Sequence, residues 1–290
     1  MLGSLRRLLP KPLDPKLREE LRASAKIGSA GFDTFGLHPA TLERTLRWTQ
    51  WIYRSYFRVE VEGIEKVPAG RVMLVPNHGG QLPLDGMLVA LAMVLDAKPP
   101  RFVRAMVERW FPSLPFVSTL FVRCGQVVGD PENCRNLLER DEAIMVFPEG
   151  VRGSGKTWWH RYELQEFGTG FVRLAMSTNS PIVPVAVVGA EETYPSIYDI
   201  RWLARLLKIP YVPITPFWPL LGPLGAIPLP VPIAIKFGDP IHFTGDADAS
   251  DHEIHEKVDL VKLRIGELIE RGLDERPWLR NLDPVARWGK

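Results

Sequence analysis

Val72-Met73-Leu74-Val75-Pro76-Asn77-His78-Gly79-Gly80-Gln81-Leu82-Pro83-Leu84-Asp85 is the stretch that decides the fold. Its first four residues form an apolar run bounded by turn formers, the pattern of a short strand buried on both faces. Pro76-Asn77-His78 ends that strand and two glycines let the chain bend. Pro83 restarts it as a helix, because the fixed φ of proline suits a first helical turn. Such a loop delivers an imidazole and then a carboxylate to the edge of a sheet, where functional groups are often presented. Two readings of these side chains stand together at this point: His78 and Asp85 as an acid–base pair, or His78 capping a turn and Asp85 as a first-turn helix charge.

Working outward, apolar runs and helical stretches alternate. Strands are predicted at Arg58 to Glu62, Phe102 to Met106, Ala143 to Phe147, Pro181 to Gly189 and Ile233 to Phe237. Gly86 to Leu95 is apolar all round, which predicts a buried helix too short to cross a bilayer. Leu137 to Arg140 closes a helix, and Gly168 to Met176 predicts another. Ser250 to Arg271 is an amphipathic helix with Ile254, Val258, Val261, Ile265 and Leu268 on one stripe. The alternation predicts an α/β fold, a central mixed sheet flanked by helices with an N-terminal helical arm. The expected division is an arm over 1–57 and an α/β domain over 58–290.

Lys plus Arg number 36 against 34 Asp plus Glu, so the net charge of +2 gives no field that would gather nucleic acid. Cys124 and Cys134 make neither a disulfide framework nor a metal motif, and His160, His242, His252 and His255 lack ligand spacing. No metal and no resident cofactor is expected. Met1 to Pro10 lacks the apolar core of a signal peptide, so secretion is not expected. Two segments suit a membrane surface. Leu42 to Arg58 is predicted as a helix with Thr41 as its cap, and it carries arginines among dense aromatics, the makeup of an interfacial helix or of one packed on the domain. The stretch 209–235 has no charged residue and eight prolines, which exclude a membrane-spanning helix and leave a hydrophobic flap or a surface that dips into the interface, with Phe217 and Trp218 at its centre, or else a loop that covers the core. Trp110-Phe111-Pro112 to Phe116 is a further aromatic loop.

Three segments over residues 58 to 190 resemble the glycerolipid acyltransferases, including the lysophosphatidate acyltransferases and diacylglycerol acyltransferase-like relatives. Asn77-His78 through Asp85 resembles their His/Asp motif, Phe147-Pro148-Glu149-Gly150-Val151-Arg152 their Phe-Pro-Glu-Gly-Thr-Arg block, and Pro181-Ile182-Val183-Pro184-Val185 their Val-Pro-Ile-Val-Pro block. The resemblance implies an acyl-CoA-dependent O-acyltransferase. His78 would be the general base and Asp85 the carboxylate that orients it; acyl-CoA would be the co-substrate and a lipid alcohol the acceptor. Asn77, Gly79, Glu149, Gly150 and Arg152 would line the substrate site, although Glu149 also reads as a strand-end carboxylate bonding backbone amides. It implies a peripheral or monotopic place on the cytoplasmic face of a membrane.

Two departures stand out. Six residues separate His78 from Asp85 where the family has four, so the Gly79-Gly80 loop must fold back for the pair to meet. The family's Gly-x-x-Phe-x-x-Arg stretch aligns with Gly125-Gln126-Val127-Val128-Gly129-Asp130-Pro131, which lacks the phosphate-binding arginine. Arg123 and Arg135 are the substitutes at hand, and the loss favours a neutral alcohol such as diacylglycerol over a glycerol phosphate. Lys156, Arg152 and Arg161 are candidates for the donor's phosphates on charge alone. After Pro148-Glu149-Gly150 a polar, Gly-rich loop is predicted to Thr157, and a rival motif overlaps it, since Gly150-Val151-Arg152-Gly153-Ser154-Gly155-Lys156-Thr157 satisfies the Walker A pattern. The alternatives are therefore a P-loop nucleotide hydrolase and a catalytically silent lipid-binding protein.

Overall fold

The computed structural model describes residues 12–24, 27–80, 83–109, 116–207 and 211–280. Expectations that fall on Met1 to Pro10, Gln81, Leu82, Trp110 to Pro115, Ile209 and Pro210 lie outside the described residues. In chain order the helices are α1 Pro15–Ser24, α2 Pro39–Trp51, α3 Leu84–Leu95, α4 Val117–Arg123, α5 Pro131–Glu139, α6 Val151–Ser154, α7 Gly170–Ser177, α8 Arg201–Leu207, α9 Asp251–Asp274 and α10 Pro277–Arg280. The strands are β1 Glu60–Glu62, β2 Val72–Pro76, β3 Val103–Val107, β4 Val127–Val128, β5 Ala143–Met145, β6 Ile182–Val188, β7 Tyr198–Asp199, β8 Pro213–Ile214 and β9 Ala234–Phe237.

Seven strands form one mixed sheet in the order β1-β9-β6-β2-β5-β3-β4, with β6 and β9 the antiparallel pair and every other pair parallel. The period of two along β2 divides its side chains between two cores. Val72 and Leu74 join the layer built on α2 and α3, while Met73 and Val75 join the layer built on α5, α7 and α9. All four are fully buried, as the apolar run requires. The α9 stripe lies in the second layer, with Ile254, Val258, Val261, Ile265 and Leu268 all buried. Its start follows from Ser250, whose hydroxyl accepts from the Glu253 amide as an N-cap.

The arm shares the first of these cores. Leu13, Leu21, Leu37, Leu42, Leu46, Tyr53 and Phe57 pack in the same cluster as β2 and α3. Arg104, only 4% exposed, bonds Asp33 from the arm and, at 2.8 Å, Glu142 beside β5. The helix expected from Thr41 begins earlier, at Pro39, because proline at the first helical position gives up no hydrogen bond. Its last turn, Ile52–Tyr56, widens into a π-turn that sets Tyr53 and Phe57 fully into the core. Its other side stays outside, with Trp48 61% exposed.

Candidate active site

Because β2, β5 and β6 run parallel and adjacent, their carboxyl ends open on one edge of the sheet. His78 follows β2, Glu149 follows β5 and Glu191 follows β6, so residues more than a hundred positions apart converge there. Asn77 makes the transition from strand to loop. Its side chain donates to the Val187 carbonyl at 3.2 Å and accepts from the Val187 amide at 2.7 Å, extending the ladder by one residue. The amide is fully buried and spent on the strand, so the sequence expectation that Asn77 lines a substrate site finds it holding the His78 loop.

Asp85 meets His78 despite the longer spacing between them, as the two glycines permit. Gly80 takes a φ of +86°, a conformation that costs other residues strain, and Pro83 leads into α3. Asp85 then sits in the first turn of α3, where the helix dipole favours a negative charge. Its Oδ2 lies 2.5 Å from His78 Nδ1 and accepts the Gly79 amide at 3.0 Å, while Oδ1 accepts the Gly86 amide at 2.7 Å. Asp85 is fully buried; the His78 side chain is 16% exposed and lies 4.4 Å, centre to centre, from the Phe147 ring. Burial alone would lower the pKa of this imidazole. The charge and hydrogen bond of Asp85, with the charge of Glu149 beside them, outweigh burial and an opposing pull from Lys156, so the pKa is raised. With Nδ1–H donating to Asp85, the lone pair of Nε2 is the ring's free base.

Glu149 is 2% exposed, and both its oxygens hold backbone. Oε1 accepts the His78 amide at 2.8 Å and Oε2 the Gln165 amide at 2.9 Å. Of the two readings open for this residue, the carboxylate bonding backbone amides is the one the geometry displays. Gly153 is needed beside it, since a Cβ there would stand 2.6 Å from the Glu149 Cβ and 2.8 Å from the His78 Cβ. Gly150, at φ +55°, makes the turn into α6.

The loop expected from Gly150 to Thr157 instead contains α6, which corrects the Walker reading as well. The Gly153 amide donates to the Gly150 carbonyl at 3.0 Å and the Gly155 amide to Val151 at 3.1 Å, so these groups turn inward rather than cradle phosphate. The Lys156 side chain is 4% exposed. Its ammonium donates to Glu191 Oε1 at 3.0 Å and to the Glu163 carbonyl at 3.2 Å, and stands 3.9 Å from Glu149 Oε2. Arg161 is likewise enclosed, 3.6 Å from Glu192 and over the Trp158 ring. Of the three cations proposed from charge for a donor's phosphates, Arg152 alone keeps an open side chain, 64% exposed and 3.0 Å from Glu166. Arg123 ends α4 on the surface, and none of the hydrogen bonds among the described residues joins its side chain to the His78 loop.

Sequence reasoning missed Glu191, Glu192 and Tyr162. Glu191 accepts the Tyr162 amide at 3.0 Å, and Tyr162 donates its hydroxyl to Glu192 at 2.6 Å while accepting the Gly189 amide at 2.8 Å. The available signal was two adjacent acids directly after a buried strand, Gly189-Ala190-Glu191-Glu192, a costly placement unless both are paired. Gly79 lies against Glu191, whose Cγ would be 2.9 Å from an added Cβ.

Residues 58–188 match the family model described as Acyltransferase. An uncharacterised protein of Mycobacterium leprae is 40% identical over 265 residues, covering 90% of this chain and 71% of that protein. A Homo sapiens protein named DGAT1/2-independent enzyme synthesizing storage lipids is 26% identical over 209 residues, covering 69% of this chain and 58% of that protein. The crystal structure of the 1-acyl-sn-glycerophosphate (LPA) acyltransferase PlsC from Thermotoga maritima superposes with a TM-score of 0.51 at 18% identity, over 81% of this chain and 79% of that one. The last likeness is one of fold.

Proposed function

Because the chain belongs to the acyltransferase family, we propose that it moves a fatty acyl group from acyl-CoA to the hydroxyl of a lipid acceptor, with His78 as general base and Asp85 as its orienting partner. The observation that carries this reading is the 2.5 Å contact between His78 Nδ1 and a fully buried Asp85. Nε2 takes the proton of the acceptor hydroxyl as the oxygen attacks the thioester carbon. The tetrahedral intermediate collapses, the carbon–sulfur bond breaks, and the departing thiolate takes the proton back from the imidazolium. No acyl-enzyme is required, since the substrate alcohol stands where a serine hydrolase has its serine. Asp85 stabilises the imidazolium that forms in between.

The acceptor favoured by the sequence is a neutral alcohol, because the family's phosphate-binding arginine is absent from 125–131, and the cations Lys156 and Arg161 face buried carboxylates. The proposed setting is the cytoplasmic face of a membrane. Leu221, Leu224 and Ile227 are 56%, 70% and 55% exposed around an apolar cavity of about 270 Å³, and Leu220, next in sequence, is 83% exposed, a larger apolar display than scattered surface leucines. No helix of the described residues is long and apolar enough to cross a membrane.

The test is acyl transfer from labelled acyl-CoA, and from an acyl carrier-protein thioester, to a panel holding diacylglycerol, monoacylglycerol and lysophosphatidate. Transfer to a neutral alcohol by the wild type, abolished in His78→Ala, is the expected result. Transfer that survives His78→Ala sinks the mechanism, and lipid binding without turnover from either donor would favour the silent protein.

A further inference from the structure

Lys156 is the cation that the Walker pattern singled out, and the proposed chemistry leaves it without a task. Its surroundings supply one. The turn after β5 brings Glu149, the turn after β6 brings Glu191, and the ammonium stands between the two carboxylates. Glu149 in turn accepts the His78 amide and the Gln165 amide, and Glu191 accepts the Tyr162 amide. Lys156 thus closes a buried circuit that joins the His78 loop to the segment 156–165. We propose that Lys156 is a positioning residue for His78, fixing the carboxylate that anchors the His78 backbone and strapping the 156–165 segment beside it. The role rests on the acyl-transfer reading for its kinetic consequence, though not for its structural one.

Burying an ammonium costs several kcal/mol unless good partners surround it, and a group retained there at that cost has its effect through those partners. A displacement of His78 by a fraction of an ångström would misalign Nε2 with the acceptor hydroxyl, a geometry on which rates depend steeply. The groups that face the imidazole differ in sign. Asp85 from α3 and Glu149 from the turn after β5 raise its pKa, whereas Lys156 lowers it. Glu191 lies behind Gly79, and Tyr211 lies within reach of Asp85.

Two readouts on the full chain test the role: titration of the His78 ring by NMR, which needs no turnover, and steady-state kinetics. In Lys156→Met the ring pKa is expected to rise, in Glu149→Gln to fall. In Lys156→Met, kcat is expected to drop by roughly 10- to 100-fold with KM for the donor little changed, and Lys156→Arg to restore most of the rate. An unmoved ring pKa with wild-type kcat in Lys156→Met would overturn the proposal. So would a loss that follows the melting temperature and is not restored by arginine, or saturable Mg-ATP binding that Lys156→Met removes. If the wild type transfers no acyl group, the function proposed above fails, while the ring titration still decides the role of Lys156.

Discussion

Asp85 has two carboxylate oxygens and three donors around them: the His78 ring and the Gly79 amide on Oδ2, and the Gly86 amide on Oδ1. Asparagine in its place offers one oxygen and a donor, so the Nδ1–H orientation of the ring is lost while the shape of the site is kept. Asp85→Asn is therefore expected to lower kcat by roughly 10²- to 10⁴-fold with a small change in KM, measured on purified folded protein. This pair was legible in the sequence because a strand-ending histidine and a helix-starting aspartate stand seven positions apart, and glycines between them allow the return. Glu191 was not legible in the same way. It lies 113 positions after His78 in the numbering and reaches the loop only through the β2–β6 pairing, which no local pattern encodes. Lys156 was misplaced for a related reason, since a glycine-rich loop ending in Lys-Thr fits a phosphate cradle until the strand ends surround the ammonium with carboxylates.

At the scale of elements, β2, α3, β6 and α9 follow from apolar period and length, and the structure differs from those expectations by only a few residues at their ends. The differences have local causes: Pro39 starts α2 before Thr41, and the Gly150 turn leads into α6 where a loop was expected. The Pro-rich stretch 211–235 could not be placed by period, because prolines remove the pattern that periods rest on. It is tied to the end of the arm: the Tyr56 hydroxyl donates to the Pro228 carbonyl at 2.5 Å, and Arg58 donates to Pro230 at 2.7 Å. It also reaches the site rim, where the Leu229 amide donates to Thr193 at 2.6 Å, in the turn that holds Glu191. On the proposed membrane reading, Leu220→Ser with Leu224→Ser removes exposed apolar surface without touching the core. The double variant is expected to sediment roughly 10-fold less with vesicles containing anionic lipid while keeping the wild-type melting temperature. Equal sedimentation of both proteins would remove the flap from the membrane account.

For the molecule as a whole, the seven-stranded sheet with its two apolar layers carries a charged rim that is itself buried, and the rim makes stability depend on pH. Burial raises the pKa of Glu192 from an ordinary 4.5 to about 7; the Tyr162 hydrogen bond opposes the rise and the charge of Glu191 adds to it. Between those two values the folded chain keeps a proton that the unfolded chain has released, so stability falls as pH rises through the window. The full effect is on the order of 3 kcal/mol, and urea unfolding at pH 5 and pH 7.5 should show it as the part of the wild-type loss that Glu192→Gln removes, the remainder belonging to His78 and Glu191, whose pKa values are raised as well. The same rim surrounds the imidazole on which the proposed reaction depends. The most direct test of that dependence is the pH profile of kcat/KM for acyl transfer, set beside the NMR titration of the His78 ring in the free protein. A rate that rises with a single pKa above imidazole's ordinary 6.5, equal to the pKa of the ring, is what a general base at His78 predicts. A profile that is flat across the titration of the ring would contradict it.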